Sequence, residues 1–174
     1  MIRILRKLLK SRSGASAIEF SFVAPVMIFF FIASVAVFDM FRTYQNIVEA
    51  NGVVADVISR QTSIDATFVS NIYGVFTNLQ QNSTAPSALR ISSIKKTGGV
   101  YKLDWKKESG TVSLLKAQVL DSSTLPQITD GDSVIYVEGA TTYTMLSSIL
   151  GFGQMTFAER AFTRPRFISA VAFN

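Results

Sequence analysis

Residues 13–20 read Ser-Gly-Ala-Ser-Ala-Ile-Glu-Phe and continue over 21–38 as SFVAPVMIFFFIASVAVF. From Phe20 to Phe38 there are 19 consecutive residues without a charge, which as a helix at ~1.5 Å per residue extend roughly 28 Å, about one bilayer hydrocarbon core. The core helix of a soluble domain would alternate apolar and polar faces with a period near 3.6. Here Phe22, Val26, Phe29, Phe30, Phe31 and Val35 leave no polar face. The pattern predicts a transmembrane helix over 15–41, preceded by a basic leader, 1–14, and followed by a domain, 42–174.

The flanks orient the span. Arg3, Arg6, Lys7, Lys10 and Arg12 precede it with no acid among them, whereas Asp39, Arg42, Glu49 and Asp56 follow it with mixed sign. The positive-inside rule then puts the N-terminus in the cytoplasm and the residues beyond about 42 outside it. The same leader explains the net charge of +5. Five of the 17 Lys and Arg lie in the first 14 residues, leaving 12 against 12 Asp and Glu, so the remainder is formally neutral. The excess positive charge thus serves orientation and contact with anionic lipid heads, and no nucleic-acid partner is expected.

The chain has no Cys and no His. Disulfides, thiolate nucleophiles and cysteine-bearing zinc sites are therefore excluded, and the commonest general base and metal ligand is missing. No GxSxG, phosphate loop or metal motif is present, so no catalytic residue, cofactor or small-molecule substrate is expected. A domain of residues 42–174 is long enough to bury a core of its own.

Helical spacing continues beyond the span through Phe41, Tyr44, Ile47, Val48, Val54, Ala55 and Ile58, with Gly52 as a point for a bend. After a break near Gln61–Ser63, a second helix carries Phe68, Ile72, Val75, Phe76 and Leu79 from an N-cap at Ser63. A polar linker at 80–87 separates the helices from strands. Leu89, Ile91, Tyr101, Leu103 and Trp105 show a period near two, with Gly98-Gly99 as a hairpin turn. Residues 107–130 are the least legible, with a short strand or helix near 112–119 and a turn at Pro126. Ser133–Met145 is the clearest strand, and Gly151 and Gly153 divide it from a last strand, Met155–Thr163, which stops before Pro165. The expected class is α+β, with a long N-terminal helix, a second helix and an antiparallel sheet of about four strands.

Gly14-Ala-Ser-Ala-Ile-Glu19-Phe20, then Val23-Ala-Pro25 and the apolar run, resembles the start of TadE/TadG-like proteins, the pseudopilins of tight-adherence (Flp-type) pilus assembly. Asp130-Gly-Asp-Ser-Val-Ile-Tyr-Val-Glu138, Tyr143, the Gly151-Phe-Gly loop and Ala158–Arg166 are similar to that family's closing segment. The resemblance implies that a prepilin peptidase cuts between Gly14 and Ala15, and that Glu19 and Phe20 are the retained acid and aromatic of subunit assembly. It also implies a place in a bacterial inner membrane, the C-terminal domain in the periplasm, and membrane lipid, other pilin-like subunits and the assembly machinery as partners. On size, the short outer domain is unlike the larger TadG-type proteins.

Physical chemistry makes those roles coherent. A carboxylate near the bilayer interior is unfavourable by up to about 3 kcal/mol and calls for a partner or a shallow position. Removal of the leader creates an α-ammonium at Ala15, one helical turn away or on a neighbouring subunit. Glycine at the cut lets the backbone enter a peptidase groove in extended form. The alternative for Ser16-Ala-Ile-Glu19 is a capping box, which needs no partner. Pro25 is either a kink used in packing or a tolerated membrane proline.

Lesser features have plain readings. Lys95, Lys96, Lys102, Lys106 and Lys107 beside Tyr101 and Trp105 fit a solvated hairpin whose edge lysines discourage strand addition, rather than a nucleic-acid grip. Asp130 and Asp132 lack the calcium-loop spacing and suit a turn. Asn82-Ser-Thr84 suits a loop. The rival functional readings are a soluble exported binding domain released by signal peptidase after Ala36, a single-pass envelope-binding protein never processed as a pilin, and an exported hydrolase without a recognisable motif.

Overall fold

The structure, a computed structural model, describes residues 12–80, 85–118, 120, 123–144 and 153–174, with side chains from Ser16 onward. Most of the leader, the Asn82–Thr84 motif, Val119, Met145 and Gly151 lie outside the described residues. The chain divides into two compact units, Met1–Asp39 and Met40–Asn174. Helix α1, Arg12–Ser59, contributes its first part to one unit and its last part to the other. It passes Pro25 and Gly52 without interruption.

In the C-terminal unit, α1 buries Ile47, Ala50, Val54, Ala55 and Ile58, residues that recur at three- and four-residue spacing and share one face. A two-residue strand β1, Ser63–Ile64, precedes helix α2, Ala66–Leu79. The predicted N-cap at Ser63 is corrected to Asp65, whose carboxylate Oδ1 accepts the Phe68 amide at 2.6 Å. Ser63 instead pairs in strand β1 with Ala172, and the chain turns into the helix only after it. An acid serves an N-cap well because it meets both the unpaired N–H groups and the positive end of the helix dipole. Asp65→Ala is expected to lower the stability of this unit by about 1 kcal/mol, seen as an earlier midpoint in urea.

The remaining strands are β2, Ser87–Thr97, β3, Val100–Gly110, β4, Ser133–Tyr143, β5, Met155–Thr163, and β6, Ala172–Phe173. The first four make an antiparallel sheet in the order β3-β2-β4-β5, so the α+β expectation holds. Gly98 and Gly99 turn the β2–β3 hairpin at φ +61° and +78°, conformations that L side chains resist. Within the obscure stretch, β3 runs on to Gly110, and a 3-10 turn follows at Val112–Leu114. The parallel pairing of β1 with β6 was not anticipated.

Leu89, Ile91, Ile135 and Val137 face the helices and close a core with Phe76, Ile72, Ile58 and Val171. On the opposite face, Ala88, Ile94, Val134, Tyr136 and Ala140 meet Leu115, Leu125 and Ile128 from the connection between β3 and β4. Covered on both faces, β4 is buried along its whole length. The segment after β5 is tied back by Arg166 N–H to Ser59 O at 2.8 Å and by Trp105 Nε1 donating to Val171 O at 2.7 Å.

Candidate functional site

The helix from Ser16 is long and apolar enough to cross a membrane: its most apolar stretch of 18 residues has a mean hydropathy of 2.4, and only 6% of that stretch is buried. Ile18, Phe20, Phe22, Val26, Phe29, Phe30 and Phe31 are all more than half exposed. Together with Met27, Ile28 and Ile32, which are exposed as well, those residues cover every direction around the helix axis, since successive positions turn by about 100°. A surface of this kind is matched by lipid or by other apolar helices and not by water. Ser34 returns its hydroxyl to Phe30 O at 2.8 Å, so that its polar group is met within the helix.

Glu19 is an exposed acid on this apolar surface, and Phe20 beside it is 71% exposed. Gly14 and Ala15 fall in the helical backbone, and their side chains lie outside the described residues. The capping-box reading of Ser16 does not fit this structure: the helix already runs from Arg12, so Ser16 and Glu19 sit within it rather than at its entrance.

The C-terminal unit holds a feature that sequence reading missed. Glu108, Arg90, Glu138 and Arg160 are consecutive cross-strand partners on β3, β2, β4 and β5, so they line one face of the sheet as a row of alternating charge. Arg90 Nε lies 2.7 Å from Glu108 Oε1, its Nη1 lies 2.6 Å from Glu138 Oε2, and Nη1 also donates to Lys116 O at 2.7 Å. Arg160 Nε stands 3.5 Å from Glu138 Oε1. The Arg90 and Glu138 side chains are 5% and 2% exposed, while those of Glu108 and Arg160 are 23% and 43% exposed. The available signal was a single charge of opposite sign inside each of two apolar strands, Ala88–Ile94 and Val134–Ala140.

The row shifts its neighbours. The hydrogen bond from Arg90 holds the Glu108 carboxyl below its ordinary value, with Lys106 adding to the effect against partial desolvation. Burial, reinforced by Glu138, pushes the Tyr136 hydroxyl well above its ordinary value. At the hairpin, Asp130 accepts the amides of Gly99 at 2.9 Å and Gly98 at 3.1 Å, which lowers its pKa. The expected turn is thus a clip that fastens one loop to another.

These shifts set a pH profile. Glu108 and Asp130, depressed in the folded state, stabilise it above their ordinary values of 4.5 and 3.8, and that contribution fades as pH falls through the folded values. Tyr136, raised in the folded state, contributes below its ordinary value of 10 and loses this as pH rises beyond it. The unfolding midpoint is expected to decline below about pH 4.5 and above about pH 10. In Tyr136→Phe the alkaline decline should be shallower, as read by Trp105 fluorescence.

The lysines divide among local tasks. Lys96 donates to Ile128 O at 3.0 Å, Lys106 pairs with Glu108 at 3.2 Å, and Lys107 lies 3.9 Å above the Phe173 ring. Among the described residues no group of three or more acidic, His or Cys side chains is placed to hold a metal ion. Compared with protein-family models, curated proteins and solved structures, the chain matches none.

Proposed function

We propose that this chain is a minor pilin-like structural subunit of tight-adherence pilus assembly, without catalytic activity. On this reading α1 anchors it once in a bacterial inner membrane, with the leader in the cytoplasm and the C-terminal unit in the periplasm. A prepilin peptidase removes residues 1–14 between Gly14 and Ala15. Glu19 and Phe20 then lie in the first turns of the mature helix, where the new α-ammonium of Ala15, on the same or an adjacent subunit, neutralises the carboxylate and fixes the axial register of packed helices. Membrane lipid, the peptidase, other pilin-like subunits and the assembly machinery are the partners.

The observation that carries this reading is an acid exposed near the start of a helix whose remaining surface is apolar in all directions. An acid so placed is expensive in lipid unless something meets it. The test is the N-terminal residue of the protein recovered from membranes. Ala15 is expected. Val37 would indicate signal-peptidase release, and Met1 an unprocessed anchor. Gly14→Ala should retain the leader, whereas Glu19→Ala should insert normally and fail to assemble; normal assembly of Glu19→Ala would remove the electrostatic role.

A further inference from the structure

The four-stranded sheet ends in two strands, β3 and β5, each of which pairs with a single neighbour among the described strands. The charge row crosses the sheet from one end to the other and begins with an acid, Glu108, on β3 and ends with a base, Arg160, on β5. From this we infer that the C-terminal unit associates head to tail with a second copy of this chain, the β5 edge of one copy adding antiparallel to the β3 edge of the next, so that Arg160 meets the next copy's Glu108 and the alternation continues.

Strand directions permit it. In the order β3-β2-β4-β5 every neighbour is antiparallel, so β5 and β3 run in opposite directions, and a copy displaced sideways presents β3 antiparallel to β5 with the same face up. Glu108 and Arg160 share a face already, as ends of one row. Placing them opposite sets the rest of the register: Phe162 faces Lys106, Ala161 faces Lys107, Glu159 faces Ser109, and Ala158 faces Gly110. No like charges stand opposite, and Lys106 meets an aromatic ring. A slip of two residues either way sets Arg160 against Lys106 or Arg164 against Lys106, and a slip of one inverts the faces. A single register is therefore favoured.

The segment Thr156-Phe-Ala-Glu-Arg-Ala-Phe-Thr163, a palindrome except for its central Glu159-Arg160, makes a symmetric pairing of β5 with β5 the obvious competitor. Directly opposed residues of antiparallel strands share a face, so an even-numbered residue can only oppose an even-numbered one when a two-fold axis relates two copies of the same strand. Arg160 would then face Thr156, Ala158, Arg160, Phe162 or Arg164, and never an acid. Charge complementarity thus selects the head-to-tail arrangement, which does not close on itself and continues from copy to copy. The inference does not depend on leader processing.

The absence of cysteine from the chain gives a direct test. Phe162 and the Lys106 side chain are 38% and 39% exposed. Within one copy they lie three strand spacings apart, roughly 14 Å, beyond the reach of a disulfide. Any bond between cysteines at these positions therefore joins two copies. The full-length chain carrying Phe162→Cys and Lys106→Cys, oxidised in membranes, is expected to give a ladder of dimers, trimers and larger species. A mixture of the two single variants should give a dimer containing one of each, and Phe162→Cys with Lys102→Cys should give little, because that partner is displaced along the strand by about 13 Å and, beyond the register shift at Ser93/Ile94, lies on the other face of the sheet. Arg160→Gln in the paired background should reduce the ladder several-fold. Dimers alone from the paired variant, equal yield with Lys102→Cys, or no effect of Arg160→Gln would each overturn the inference. Unfolding midpoints within a few degrees of the parent confirm that the variants compared are folded.

Discussion

Arg90→Ala is expected to destabilise the C-terminal unit by about 3–5 kcal/mol, because it strands a carboxylate that has nowhere to go. Glu138 is 2% exposed, and its Oε2 is met at 2.6 Å by the guanidinium that the substitution removes. Arg160, at 3.5 Å from the other oxygen and itself 43% exposed, is too distant and too well hydrated to replace it. The carbonyl of Lys116 loses its donor as well, and so the connection that covers this face of the sheet loses an attachment. The pair itself is a different matter from its rupture. Two charges taken out of water recover in mutual attraction roughly what they lost in hydration, so Arg90→Met combined with Glu138→Met should lie near the parent in stability. Trp105, the only tryptophan, reports on this unit through its bond to Val171. A urea midpoint in Arg90→Ala as low as predicted, with recovery in the double variant, would place the cost in the unpaired charge. Equal loss in both would place it in the shape of the side chain.

What could be read in the residues differs sharply between elements. The membrane-length helix rests on a run in which every position agrees, and the β2–β3 hairpin rests on Gly98-Gly99, where backbone chirality leaves few other choices. Strand β5 ends where Pro165 approaches and begins after Gly153, so its bounds, Met155–Thr163, were legible to the residue. The N-cap was misplaced by two residues because Ser63 and Asp65 are both good caps, and only the pairing of Ser63 with Ala172, over a hundred residues away, decides between them. Residues 111–132 have little periodicity, and those of them that are described are held by single anchors, Leu115, Leu125 and Ile128 under the sheet and Asp130 at the hairpin. The charge row was hidden for a related reason. Arg90 and Glu138 are separated by 48 residues, and nothing local marks them as partners until β2 and β4 are set in register.

Phe76→Ala should cost about 3–5 kcal/mol, and the reason lies in how closely α1 and α2 approach the sheet. Phe76 is fully buried between the helices and the inner face, against a core that includes Ile47, Leu89 and Val137. It can lie there because β4 carries Gly139 at the crossing point. A methyl group added to Gly139 would stand 2.5 Å from two carbons of the Phe76 ring and would also press on Asn51 Oδ1. Asn51 is in turn fixed by its amide, which donates to Glu159 O at 2.8 Å and so joins α1 to β5. The ring and the helix cannot both retreat, since Tyr73 Oη is held to Ser87 O at 3.1 Å one turn before Phe76. Gly139→Ala alone is therefore expected to lose about 1–3 kcal/mol by overpacking. The two substitutions should not add: removing the ring opens the space that the new methyl needs, so the double variant should be more stable than the sum of the single losses by about 1 kcal/mol or more. Urea unfolding of the four proteins measures this coupling. A coupling of zero would mean that Asn51, and not Phe76, is what excludes a side chain from position 139, and Asn51→Ala with Gly139→Ala would then show the relief instead.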